Sequence, residues 1–214
     1  SPDVLRYYLC ANAPESKDAD FDWDEFMQRY NGELCDVVGN FVHRSLTMTV
    51  KNFEDQVPDP GVLDAEDEAM LAAIPAGLDA VAESLEAFRF RQALERFIDL
   101  GRKANVYFDG KAPWVTRKTD MARTGSTLYV CSQVVHALCH GMAPFLPNGA
   151  AQLAGILNVT LPTGGPEGGE DGWNAGKNLL PAGHALAKPT VLFPKLDKDE
   201  IAALAELHLN GEAF

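Results

Sequence analysis

Asn40 and Arg44 stand four residues apart in a helical run, so an amide and a guanidinium project from one face, one turn apart, beside the apolar stripe. Such a pair can hydrogen-bond the edge of an unpaired base. Trp114, directly after Pro113 in "KANVYFDGKAPWVTRKTD", offers a flat surface on which that base could stack. The chemistry these residue types suggest is recognition of a single-stranded nucleotide. The alternative is structural: a helix-surface pair capping neighbouring loops, and a tryptophan filling the core.

Charge bears on that choice. The 214 residues carry 18 Lys and Arg against 31 Asp and Glu, a formal charge of −13, and such a surface repels a phosphate backbone unless its cations are concentrated. They are: nine of the 18 fall between Arg89 and Arg123 with only four acids, giving that segment +5 and the remainder −18. Lys111, Arg117 and Lys118 flank the tryptophan within it. The bland reading of such a cluster is a solvated helix face laced with salt bridges.

Signatures of a complete active site are missing. There is no G-x-x-x-x-G-K-[ST] loop, G-x-G-x-x-G turn, G-x-S-x-G elbow or H-E-x-x-H pair. Asp64, Glu66, Asp67 and Glu68 open a helix and read as dipole and solubility residues rather than metal ligands. His136 and His140, one turn apart around Cys139, make a metal conceivable, but no further ligand lies at motif spacing, so no metal is expected. Cys10, Cys35, Cys131 and Cys139 form no C-x-x-C pair and are expected to be free thiols. The apolar runs are far too short to span a bilayer, and the start has no secretory pattern, so no membrane and a cytoplasmic location are expected.

The elements that must position these residues are helices. Ser1-Pro2-Asp3 reads as a capped helix opening into "VLRYYL". Phe26, Tyr30, Leu34, Val37, Val38, Phe41 and Leu46 mark a long amphipathic helix from about Asp24 to Val50. A two-proline loop follows, then a helix from "DAEDEAMLAAI" that Pro75 is expected to kink. Further helices run from about Phe90 into the "APW" connection, and from about Thr124 to Gly141. Residues Thr160 to Gly176 read as a Gly/Pro-rich loop, "PTVLFPKLD" as an extended piece, and Lys198 to Leu209 as a last helix. The expected fold is all-α, an antiparallel helical bundle with a loop-rich C-terminal extension.

The stretches "SPDVLRYYLCANAP", "DFDWDEFMQRYNGELCDVVGNFVHR", "ALERFIDLGRKANVYFDGKAPW" and "PFLP", in this order, resemble the C-terminal part of methionyl-tRNA synthetases, especially archaeal-like forms, over essentially the whole chain. The resemblance implies a stem-contact linker at residues 1–30, a class I helical anticodon-binding domain at 31–159 and an extension at 160–214 packing back on the bundle. Carried over onto this sequence, it makes Asn40, Arg44, Pro113 and Trp114 the anticodon contacts, with Trp114 under the first base of CAU. Lys111, Arg117 and Lys118 become the expected contacts to the RNA backbone. The implied partners are tRNA(Met) and the protein's own catalytic domain, with the oligomeric state open. ATP with magnesium and, as an option, zinc belong to that catalytic part, and these residues are expected to hold no cofactor. Without "HIGH"- and "KMSKS"-like signatures the chain reads as a fragment, inactive alone in methionine-dependent ATP–pyrophosphate exchange. The rivals are the helical anticodon domain of a leucine, isoleucine, valine or cysteine enzyme, and a stand-alone tRNA-binding module.

Overall fold

The computed structural model describes residues 2–15, 18–161 and 169–209. In chain order it has α1 (Pro2–Ala11), α2 (Trp23–Arg29), a π-helical stretch (Tyr30–Gly39), α3 (Asn40–Asn52), α4 (Ala65–Glu86) and α5 (Phe90–Lys111). There follow the single turn α6 (Pro113–Thr116), then α7 (Met121–Met142), α8 (Pro147–Leu157), α9 (Gly169–Ala175) and α10 (Lys198–Leu209). Among the described residues no strand forms, only an isolated antiparallel bridge between Gln56 and Ala185. The architecture is the helical bundle that the periodicity predicts.

α7 is its axle. Every residue from Thr124 to Met142 is buried, so this stretch has no solvent face to encode, and the polar side chains among its apolar and small ones must find partners inside the protein. The hydroxyls it buries at Thr124, Thr127 and Ser132 each donate to the carbonyl four residues back, which removes the cost of leaving them unpaired. Gly141 brings α4 and α5 close: a Cβ there would stand 3.2 Å from side-chain carbons of Leu78 and Phe97.

Two local expectations are corrected. The long helix is not α throughout. Phe26, Tyr30, Leu34 and Val38 recur strictly every four residues, which in an ideal α-helix would carry the stripe off one face, and the wider turns of the π-helical stretch keep all four buried. α4 continues as helix through Pro75, which stands on its exposed side. Within the Thr160–Gly176 segment, expected as a loop, α9 forms at Gly169–Ala175. The expected cap at Ser1 lies outside the described residues. Asp3 stands in the first turn of α1 as expected, and it also accepts the Gly149 N–H at 2.8 Å and the Asn148 amide at 3.0 Å, anchoring the start of α8.

The extension is clamped by two side-chain amides. Gln133 donates to the Leu180 carbonyl at 3.1 Å and accepts its N–H at 2.7 Å, while Asn31 does the same for Leu196 at 2.8 and 3.0 Å. One hydrophobic core contains Tyr7, Leu138 and Phe193, and a smaller one joins Ile201 to Tyr8, Phe26 and Met27. All four cysteines are free. No helix among the described residues is long and apolar enough to cross a membrane.

Candidate nucleic-acid interface

Phe41, Val42 and Leu46 anchor α3 in the core, which leaves Asn40 exposed and Arg44 half-buried on the outer side. Asn40 makes no side-chain hydrogen bond among the described residues. α5 stops at Ala112, which adopts a left-handed φ of 43° and donates its N–H to the Phe108 carbonyl, so the chain turns sharply before Pro113. Pro113 is buried at the start of α6, and that placement turns Trp114 outward, 37% exposed.

The structure brings Arg44 and Trp114 together. The Arg44 guanidinium lies 4.8 Å from the centroid of Phe108 and 5.2 Å from that of Trp114, and the two rings stand 5.6 Å apart at 54°. Phe108 is fully buried and meets Phe41 edge-on at 6.1 Å, so the core backs the tryptophan. Arg44 donates to Asp109 at 3.1 Å, an ion pair whose acid is 58% exposed. Each ring contact at such an exposed site is worth about 0.5–1 kcal/mol, as is a pair of this kind. The guanidinium is therefore oriented but keeps donors to spare.

Lys111, expected beside Arg117 and Lys118 as a backbone contact, is engaged elsewhere. Its ammonium lies 2.7 Å from both Asp64 oxygens, 2.8 Å from Glu66 and 3.4 Å from Asp67, with the side chain 9% exposed. Asp67 is fully buried and takes hydrogen bonds from Tyr107 at 2.7 Å and from Arg123. Asp64 and Asp67 also close a capping box over the start of α4, with Asp64 N–H donating to Asp67 at 2.9 Å. Lys111 holds the Asp64 carboxyl down at about 2. Burial alone would raise Asp67, but the Tyr107 and Arg123 hydrogen bonds leave it below the ordinary range. Asp67, read as a solubility residue, is thus a buried node tying α4, α5 and α7 together behind the tryptophan turn. Arg117 and Lys118 follow α6, exposed and without an ion pair among the described residues.

Phe108 and Asp109 escape the sequence reading. The signal available was an acid inside a cationic run, placed where a helix ends one turn before the proline. His136 and His140 hydrogen-bond each other between Nε2 atoms at 3.2 Å, and His136 Nδ1 meets the Asn178 carbonyl at 3.1 Å. Burial, then His140, holds His136 down at about 4. Among the described residues no group of three or more His, Cys, Asp or Glu could hold a metal.

Comparison with known proteins places the chain in a family. Residues 57–212 match the family described as the anticodon binding domain of methionyl tRNA ligase, and residues 1–46 match the class I tRNA synthetases (M). The chain is 38% identical over 200 residues to the methionine–tRNA ligase of Methanobrevibacter smithii, and 41% identical over 217 residues to that of Salinibacter ruber. These alignments cover 94% and 96% of this chain but only 29% and 30% of the relatives' length. A crystal structure of apo Mycobacterium tuberculosis methionyl-tRNA synthetase superposes with a TM-score of 0.82 at 31% identity, over 91% of this chain and 39% of that one. The chain belongs to the methionyl-tRNA ligase family and contains its anticodon-binding domain.

Proposed function

We propose that the chain reads the CAU anticodon of tRNA(Met) so that a catalytic domain, using ATP and methionine, can charge that tRNA in the cytoplasm. One observation carries the reading: a guanidinium held against two aromatic faces, one of them open to solvent, one turn from a free asparagine amide. A splayed cytosine can lie on the Trp114 indole while Arg44 and Asn40 address its edge. Stacking is worth about 1–3 kcal/mol per base, and a good pairing at the edge a similar amount against the wrong base. Arg117 and Lys118, exposed beside the platform, are suited to the flanking phosphates. Lys111 is better placed to fix the turn than to meet RNA.

The chemistry of ATP activation, with magnesium and optionally zinc, is assigned to the catalytic domain, because this chain offers no nucleotide-binding signature. The test is binding of anticodon stem-loop RNAs that differ only in the first anticodon base. CAU is expected to bind more tightly than AAU or GAU, and the preference is expected to shrink in Arg44→Ala. Equal affinity for all three loops in the unaltered chain would overturn the reading.

A further inference from the structure

Asn40 and Arg44 stand at the start of α3, and the backbone that delivers them there is unusual. The π-helical stretch closes with the Asn40 N–H donating to the Cys35 carbonyl, five residues back, before α3 begins. π turns are rare and mostly single, whereas this stretch runs for ten residues. A slip of one residue where the two spacings meet would turn the outer face of α3 by about 100° and carry Arg44 off Trp114. The phase of α3 has to be fixed at that junction.

α5 fixes it over three successive turns. Gly101 comes first: a Cβ there would stand 3.0 Å from Val37 Cγ1, so the missing side chain lets α5 lie directly against the end of the π-helical stretch. Asn105 follows one turn on, half-buried, and its amide nitrogen donates twice, at 2.9 Å to the Val37 carbonyl and at 2.9 Å to the Gly101 carbonyl of its own helix. The second bond orients the amide, and the first grips the chain three residues before Asn40. Phe108 and Asp109, a turn further, meet Phe41 and Arg44. Those two hold side chains of α3, while Asn105 holds the π-helical backbone itself.

We infer that Asn105 is a positioning residue for base recognition: its grip on the Val37 carbonyl sets the rotation of α3 at which Asn40 and Arg44 face the Trp114 platform. It acts through those two side chains and not on the base. This role rests on the base-reading function proposed above.

The experiment compares the full chain, Asn105→Ala and Gln133→Ala, the last of which also loses two amide hydrogen bonds, but on α7. The Arg44 Nε–H is followed by NMR, because the ring currents of Phe108 and Trp114 displace its resonance. In Asn105→Ala that resonance is expected to move toward the position of a free arginine, and the preference for a CAU over an AAU stem-loop to fall about three- to tenfold, the worth of one hydrogen bond. Gln133→Ala is expected to lower the melting temperature and leave both unmoved. In a chain already carrying Asn40→Ala and Arg44→Ala, adding Asn105→Ala is expected to take away no further preference. An unmoved Arg44 resonance, or a loss of preference that Gln133→Ala reproduces, overturns the role. If Asn105→Ala does not fold, Asn105→Ser replaces it, since its hydroxyl can still bond back to Gly101 but cannot reach Val37. An unaltered chain that binds both loops equally removes the base-reading function, and the Arg44 resonance in Asn105→Ala then still decides whether Asn105 sets the place of the guanidinium.

Discussion

Arg44 and Lys111 both meet the C-terminal end of α5, one on the side of α3 and the other on the side of α4, and their surroundings differ in kind. Lys111 has three carboxylates within 3.4 Å, one of them fully buried. Arg44 has one exposed carboxylate and two ring faces. Saturation by acids makes the first cation a structural fastener, because removing either partner strands charge in a dry place. Under-saturation leaves the second one oriented and available. Position within a cationic run therefore says little about role, and the number and burial of the acids decides it.

The largest effect is expected at the fastener. Asp67→Ala strands Arg123 and the Tyr107 hydroxyl, and should cost about 3–5 kcal/mol in denaturant unfolding, with RNA binding lost only as far as the fold is lost. Arg44→Ala should cost less, at most about 3 kcal/mol of stability, since two ring contacts and one exposed pair are all it gives up, while costing about 1–3 kcal/mol of discrimination between anticodon bases. If instead Arg44→Ala unfolds the chain and Asp67→Ala does not, the comparison is inverted.

Smaller changes sharpen it. Arg117→Gln and Lys118→Gln should each flatten the salt dependence of RNA binding by about one unit without touching stability. Lys111→Gln should do the reverse, lowering the melting temperature and leaving the slope alone. Acid should act on the fastener in a defined window: the Asp64 and Asp67 carboxyls are depressed in the folded state, so their contribution is complete above the ordinary carboxylate range near 3.9. It then falls as the pH drops toward 2, and Asp67→Asn should remove part of that dependence in a thermal-melt series. Least of all, Ala112→Gly should relieve a left-handed alanine and gain at most about 1 kcal/mol.

The helical bundle was legible because apolar spacing is a local signal that tertiary packing then uses. The π-helical stretch was present in the same residues, as the strict four-residue repeat from Phe26 to Val38, but a repeat of four fits a tolerant α-helix until burial of every member is known. Arg44 beside Trp114 came from the resemblance to the synthetases, because helix spacing pairs Arg44 with Asn40 but says nothing of a residue 70 positions away. Phe108 did not, since an aromatic in an amphipathic helix is core by default, and only its contact with both Arg44 and Trp114 shows it backing the platform. Asp67 was misread for the opposite reason: at a helix start an acid is sufficiently explained by the dipole, and its burial depends on Tyr107 and Arg123, which lie 40 and 56 residues away.

The central claim is that one base stacks on Trp114, and a thermodynamic cycle tests it most directly. Binding is measured for the chain and for Trp114→Ala, each against a CAU stem-loop and the same loop with an abasic first anticodon position, with melting temperatures recorded alongside. The account predicts a coupling of about 1–3 kcal/mol between indole and base, with the melting temperature nearly unmoved. Zero coupling, or a loss of binding that tracks a collapse in stability, would contradict it.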